Sequence, residues 1–135
     1  MKRPDLCLTE QPDLSLDCVE AFLLDGAYDF KSPTSSLHSL RSAGIRSTKQ
    51  LLAQAGRHAF LLLSNPKTYG GEPMRCFIPR HGFRFSGAAK SCEILICFEC
   101  LWIYFYYESR CVTASLGEAG ARALKKVFNE AFEPA

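Results

Sequence analysis

The sequence predicts one α+β domain in which helices come first, an antiparallel sheet follows, and a last helix packs on the sheet. Apolar residues recur at helical spacing near both ends of the chain, whereas residues 74–107 are rich in aromatic and β-branched types interrupted by glycine and proline. The length of 135 residues, with 47% apolar and 22% charged types, is typical of a single globular domain covering residues 1–135.

The N-terminal part is predicted to be helical. The expected helices span residues 13–24, 34–44 and 48–55, after a polar, irregular lead-in over residues 1–12. Leu16, Val19 and Phe22 recur every three residues in the first of them. The third begins at a capping-box pattern of Ser47 with Gln50 and stops at a glycine.

A sheet of about four strands is expected next. The predicted strands are residues 59–63, 74–78, 83–86 and a long apolar run over 92–107. That run is apolar at both parities, which is typical of a strand in the centre of a sheet or at an interface. The C-terminal helix is expected to begin at a second capping box, Ser115 with Glu118, and to reach about Phe132 with one apolar stripe.

Charge and hydropathy exclude several classes of partner. A net charge of +2 gives no basic surface for nucleic acid or an anionic membrane. The most apolar stretch, residues 94–107, has 14 residues and contains Glu99, whereas a membrane-spanning helix needs about 20. No apolar stretch of export-signal type follows the basic start of the chain, so we expect a cytoplasmic protein with mostly unpaired cysteines.

Within residues 76–100, three of the cysteines and one histidine have the spacing of metal ligands: Cys76, His81, Cys97 and Cys100. A structural zinc ion takes four tetrahedral ligands, commonly three thiolates and one imidazole supplied as two close pairs. The spacing therefore predicts a zinc site made by these four residues. Side chains alternate along a strand, so Cys97 and Cys100 can share a metal only if a turn interrupts the strand at residues 98–99.

Two other interpretations of these residues remain open. The thiols could simply be buried, as free cysteine commonly is. Alternatively, the chain could be a thiol-dependent enzyme that uses the pair Cys97 and Cys100 in redox chemistry, or Cys76 as a nucleophile with His81 as its base. Burial in an apolar run would raise a thiol pKa and so opposes redox activity. No orienting third residue or oxyanion hole is evident, and no catalytic residue is assigned.

Arg75, Arg80 and Arg84 form a local basic group beside phenylalanines. Alternation of arginine with phenylalanine is typical of a half-buried strand with one solvated face. The same arginines are candidates for binding a carboxylate or phosphate group, because a guanidinium can make two parallel hydrogen bonds to either.

The segments CFIPRHGFRF (residues 76–85) and ICFEC (residues 96–100) resemble a pattern in small uncharacterised bacterial proteins. In these, a Cys-Phe-x-Pro-Arg-His-Gly segment precedes a strand that ends in Cys-Phe-x-Cys. The resemblance implies that the matching residues belong to one local construction, and it carries no activity with it. These residues are Cys76, Pro79, Arg80, His81, Gly82, Cys97 and Cys100. The sequence as a whole favours a small non-enzymatic module of inhibitor, immunity or adaptor type that binds a protein partner and holds a zinc ion.

Overall fold

A computed structural model of the chain describes residues 14–25, 40, 43–74, 78–87, 91–107 and 110–133. The strands are β1 (Leu14–Leu24), β2 (Ile45–Gln50), β3 (His81–Gly87), β4 (Ser91–Cys97), β5 (Trp102–Tyr107) and β6 (Arg110–Ser115). The helices are α1 (Ala53–Ser64) and α2 (Glu118–Phe132), with a short 3₁₀ turn at Pro66–Thr68. In the described part of the chain the six strands form one antiparallel sheet in the order β2-β1-β3-β4-β5-β6. The predicted α+β class, the antiparallel sheet and the C-terminal helix are confirmed, with six strands in place of about four.

Both helices cover the same face of the sheet, which we call the helix-covered face. Alternate strand residues such as Ala21, Phe83 and Ile94 are fully buried there, in one cluster with residues of both helices. The predicted apolar stripe of α2 is confirmed, because Val127 and Phe128 are buried in this cluster. Burial of large apolar side chains contributes about 1.5–3 kcal/mol each, so this layer is the main source of stability.

The opposite face of the sheet is also partly buried. A second cluster there contains Phe22, Leu95 and Tyr106 together with Leu40, which comes from the connection between β1 and β2. The run that is apolar at both parities therefore occupies β4 and β5, which lie inside the described sheet and not at its edge. Within the described residues, no helix has the length and apolar character needed to cross a membrane.

The predicted helix over residues 13–24 is wrong, because this segment is strand β1. Its apolar residues fit a helical period, but in the fold they serve two faces of the sheet. Ala21 lies in the helix-covered cluster, and Phe22 lies in the opposite one. β1 is hydrogen-bonded to β2 on one side and β3 on the other. A strand buried on both faces has a nearly continuous apolar sequence, and in this segment such a sequence also contains apolar residues at helical spacing.

The predicted boundaries between residues 45 and 64 are also wrong. Residues 45–50 form the edge strand β2, so the capping box at Ser47 does not exist. Helix α1 begins at Ala53 and passes through the buried Gly56, and the predicted strand over 59–63 is the second half of this helix. A glycine inside a helix is less favourable than an alanine by only about 1 kcal/mol, and the packing of α1 on the sheet offsets this cost at Gly56.

Three smaller predictions need comment. The capping box predicted at Ser115 and Glu118 is not formed. Ser115 is the last residue of β6, and the N-cap of α2 is Gly117, which has no side chain that could cap the helix. The strand predicted over 74–78 is not formed at Met74 or Ile78, and residues 75–77 lie outside the described residues. The lead-in over 1–12 and most of the helix predicted over 34–44 also lie outside them, although Leu40 is helical.

Candidate metal-binding turn

A four-residue turn separates the two cysteines at the end of β4. Strand β4 ends at Cys97, which pairs with Trp102 at the start of β5. The chain reverses over residues 98–101, so the interruption that a shared metal requires is present. Cys97 and Cys100 both lie in the cluster on the opposite face, where they are 2% and 1% exposed. The turn thus brings two thiols to the same side of the hairpin.

Leu101 closes this turn in the left-handed conformation, with a φ of 60°. That conformation costs a non-glycine residue about 1–2 kcal/mol. Two contacts offset the cost: the Leu101 side chain packs on the helix-covered core, and its carbonyl accepts a hydrogen bond of 2.8 Å from the N–H of Leu116. The sequence lacks the glycine or asparagine that marks such turns, so the turn could not be recognised from the sequence.

The chain on either side of Cys76 is held at this turn. The N–H of Met74 donates to the carbonyl of Cys100 at 2.9 Å, and the Trp102 indole N–H donates to the carbonyl of Met74. After the gap, Ile78 lines a small cavity of about 50 Å³ together with Cys97. Cys76 and Arg75 themselves lie outside the described residues.

His81 is the first residue of β3, and its ring packs among aromatic side chains. The ring centroids of Phe128 and Phe98 lie 4.8 Å and 5.0 Å from that of His81, both with edge-on geometry. Burial lowers the His81 pKa from 6.5 to about 4, and the charges of Lys125 and Arg80 act in the same direction. The imidazole is therefore neutral at neutral pH, which is the form that binds metals.

The structure brings together two of the four predicted ligands. His81 contacts Phe128 of the helix-covered core, whereas the two cysteines belong to the cluster on the opposite face. His81 and Cys97 share the lining of the small cavity. In the part of the chain that is described, no group of three or more His, Cys, Asp or Glu side chains could hold a metal ion. The four-ligand set thus stays a prediction that depends on Cys76 and on movement of His81.

The predicted basic group is divided by the fold. Arg84 is half-buried on the opposite face and donates from Nε and Nη2 to Glu93 Oε2 and from Nη1 to Glu20 Oε1, all at 3.3 Å. Its guanidinium also lies 5.3 Å from the ring centroid of Phe22. Arg84 is therefore already paired with two carboxylates of the protein, whereas Arg80 is exposed. The two carboxylates were missed because their register against Arg84 requires knowledge of the strand pairing.

The other described cysteines have separate environments. Cys18 is exposed and free, and Cys111 is half-buried and free. Burial raises the pKa of the Cys111 thiol, and a hydrogen bond with Tyr106 acts in the opposite direction. Cys92 is buried and disulfide-bonded. None of these three cysteines adjoins the turn in sequence.

The turn has a simple chemical capability: two thiolates at one end of a hairpin can hold a thiophilic divalent ion such as zinc. Comparison with protein-family models, with curated proteins and with solved structures gives no match to this chain. The candidate function therefore depends on the geometry of this turn and of the surfaces around it.

Proposed function

We propose that the protein is a small non-enzymatic interaction module, of inhibitor, immunity or adaptor type, whose β4–β5 turn is fixed by a structural zinc ion. The supporting observation is that Cys97 and Cys100 lie in one buried cluster on one side of a tight turn. A pair of thiolates from a single turn is half of the usual ligand set of structural zinc.

Cys76 is proposed as the third ligand. It lies two residues from Met74, whose N–H is bonded to the carbonyl of Cys100. Because an extended chain covers at most about 3.6 Å per residue, the Cα of Cys76 can be no more than about 7 Å from that of Met74. A thiolate so tethered is within reach of the turn.

His81 is proposed as the fourth ligand, in its neutral form. Binding would require its ring to exchange the contacts with Phe98 and Phe128 for a bond to zinc. Zinc binding at a complete structural site contributes about 10–16 kcal/mol, shared among four ligands, whereas each ring contact that His81 would lose contributes about 0.5–1.5 kcal/mol.

The alternative is a redox dithiol at Cys97 and Cys100. It is favoured by the observation that neither Cys97 nor Cys100 is in a disulfide bond. Their exposures of 2% and 1% oppose it, because a redox partner must reach one sulfur directly. The structural role is therefore preferred.

Metal analysis of the full chain, purified without a histidine tag from zinc-supplemented medium, tests the proposal. The expected result is about one zinc per chain, lost in Cys97→Ser and in Cys100→Ser together with a drop in thermal stability. Cys18→Ser is the matched control, because Cys18 is exposed and free, and it should keep the metal. A zinc-free wild-type protein, or full zinc content in both turn variants, would overturn the proposal. A zinc-free protein with a thiol pKa well below about 8.5 would favour the redox alternative.

A further inference from the structure

Two adjoining cavities lie beside the β4–β5 turn. The small cavity of about 50 Å³ that Ile78 and Cys97 line is next to a second cavity of about 270 Å³. Phe98, Glu99 and Lys125 line both of them, so the two form one depression between the turn and α2. We call the residues that line this depression the turn–α2 surface.

Three cations and one carboxylate belong to the turn–α2 surface. Arg122 and Lys125 are three positions apart on α2, which places them on the same side of the helix. Arg80, just before β3, lines the small cavity together with Lys125. These cations are exposed, as is Glu99, and with His81 neutral the formal charge of the surface is +2. That equals the net charge of the whole chain, so the excess of positive charge is concentrated here.

The cations from different elements act on the same part of the surface. Burial lowers the pKa of His81, and the charges of Lys125 and Arg80 lower it further, so both cations raise the electrostatic potential there. Arg80 donates from Nη1 to the carbonyl of Asp25 at 3.5 Å. Because a guanidinium has five N–H donors, Arg80 can make this bond and still donate to an incoming anion.

Apolar side chains line the same depression. Ile78 is 40% exposed at the small cavity, Phe98 is half-buried where the two cavities meet, and Ala121 lines the larger one. A volume of about 270 Å³ lies below the range of about 300–1,000 Å³ that is typical of sites for small molecules, and it suits a single side chain. Arginine and aromatic residues are enriched at protein–protein interfaces, where side chains that fill pockets contribute most of the binding energy.

The charges distinguish among the macromolecules that could bind here. An acidic segment of a protein can place carboxylates against the three cations, because arginine binds carboxylates through paired hydrogen bonds. A second copy of the chain would bring two surfaces of charge +2 together, which opposes self-association. A nucleic acid carries a phosphate at every nucleotide, so Glu99 would repel it, whereas a peptide can place an uncharged residue at that point.

We propose that the turn–α2 surface binds an acidic segment of a partner protein. One apolar side chain of that segment enters the larger cavity against Phe98, and carboxylates on either side of it pair with the three cations. The apolar side chain supplies most of the affinity, and the charges supply selectivity and speed of association. The inference rests on the proposed role as an interaction module and does not depend on the zinc ion.

A peptide titration of the ¹⁵N-labelled full chain at about 0.1 M salt, followed by NMR, tests the inference. The probe is an acetylated and amidated heptapeptide of glutamate with one central phenylalanine. One control peptide replaces glutamate with glutamine, a second replaces phenylalanine with serine, and a thymidine oligonucleotide of similar charge represents nucleic acid. The protein variants are Lys125→Glu, Glu99→Gln and Lys126→Glu. Lys126 is the matched control, because it is exposed on the same helix and lines neither cavity.

The expected result is saturable binding with shifts at residues 98–101 and in the first half of α2. Lys125→Glu should weaken binding about fivefold or more, Glu99→Gln should tighten it about twofold, and Lys126→Glu should leave it within about twofold. Both control peptides should bind more weakly than the probe. The inference is overturned by an absence of saturable shifts at millimolar peptide, by equal binding of either control peptide, or by equal effects of Lys125→Glu and Lys126→Glu. Tighter binding of the oligonucleotide at the same residues, or a dimer formed through them, would also overturn it.

Metal analysis of the same preparation separates the two proposals. Protein with one zinc per chain that fails to bind the peptide refutes the acidic-segment site alone. Zinc-free protein that binds the peptide with the expected variant pattern supports the acidic-segment site and refutes the zinc ion. If Lys125→Glu perturbs α2, the tightening expected in Glu99→Gln decides, because a loss of folding would weaken binding and could not strengthen it.

Discussion

Protonation of His81 is expected to destabilise the metal-free protein as the pH falls from 6.5 to 4. The His81 pKa is lowered from 6.5 to about 4 in the folded chain, by burial and by the charges of Lys125 and Arg80. Below pH 6.5 the unfolded chain therefore binds a proton that the folded chain does not. The contribution of this group to stability is complete above pH 6.5 and is lost as the pH falls towards 4.

The size of the effect follows from the two pKa values. A pKa of 6.5 in the unfolded chain and about 4 in the folded chain corresponds to a loss of about 3 kcal/mol in the free energy of unfolding once His81 is protonated in both states. Because the ring is only half-buried, solvent screening reduces the expected loss to about 1–2 kcal/mol. His81→Phe is the matched variant, since it keeps an aromatic ring against Phe98 and Phe128 and removes the titration.

Urea unfolding of the chelator-treated protein, followed by circular dichroism, measures this loss. Between about pH 7 and pH 4, the free energy of unfolding should fall by about 1–2 kcal/mol more in the wild-type protein than in His81→Phe. Carboxylates titrate in both proteins, so the difference isolates His81. Equal losses in the two proteins would refute the assignment of a neutral, packed imidazole at neutral pH.

Three further substitutions test the packing, all by chemical denaturation. Gly120→Ala should destabilise by about 1–3 kcal/mol despite the higher helix propensity of alanine, because its Cβ would lie 2.3 Å from the carbonyl oxygen of Thr68. A stabilised variant would contradict this close approach. Tyr69→Phe should cost about 1 kcal/mol, since the hydroxyl donates to the carbonyl of Leu63 at the end of α1; an unchanged midpoint would argue against that bond. Glu93→Gln should cost about 1 kcal/mol through its weakened pairing with Arg84, whereas Glu72→Gln, at an exposed loop carboxylate, should cost less than about 0.5 kcal/mol.

The middle of the sheet could be predicted from the sequence, and the N-terminal part could not. Residues 92–107 are dense in aromatic and β-branched types, which predicts strands there, although residues 98–101 form the turn between β4 and β5. The residues of β1 fit both a helical period and a strand with two buried faces. The choice between them is made by pairing with β3, as between Ala21 and Phe83, which are far apart in sequence.

The candidate site was predictable in its residue types and less so in its geometry. The spacing of Cys97 and Cys100 indicated a pair, but their common side depends on Leu101 adopting a left-handed conformation without the usual glycine. The surroundings of His81 depend on Phe128, which α2 brings from the far end of the chain. Local spacing carries no information about such a contact.

X-ray absorption at the zinc edge of the tag-free, full-length protein tests most directly whether the turn is a metal site. The proposed ligands Cys76, His81, Cys97 and Cys100 should give three sulfur atoms at about 2.3 Å and one nitrogen at about 2.0–2.1 Å. A protein without zinc, or a zinc ion surrounded by nitrogen and oxygen alone, would contradict the proposal.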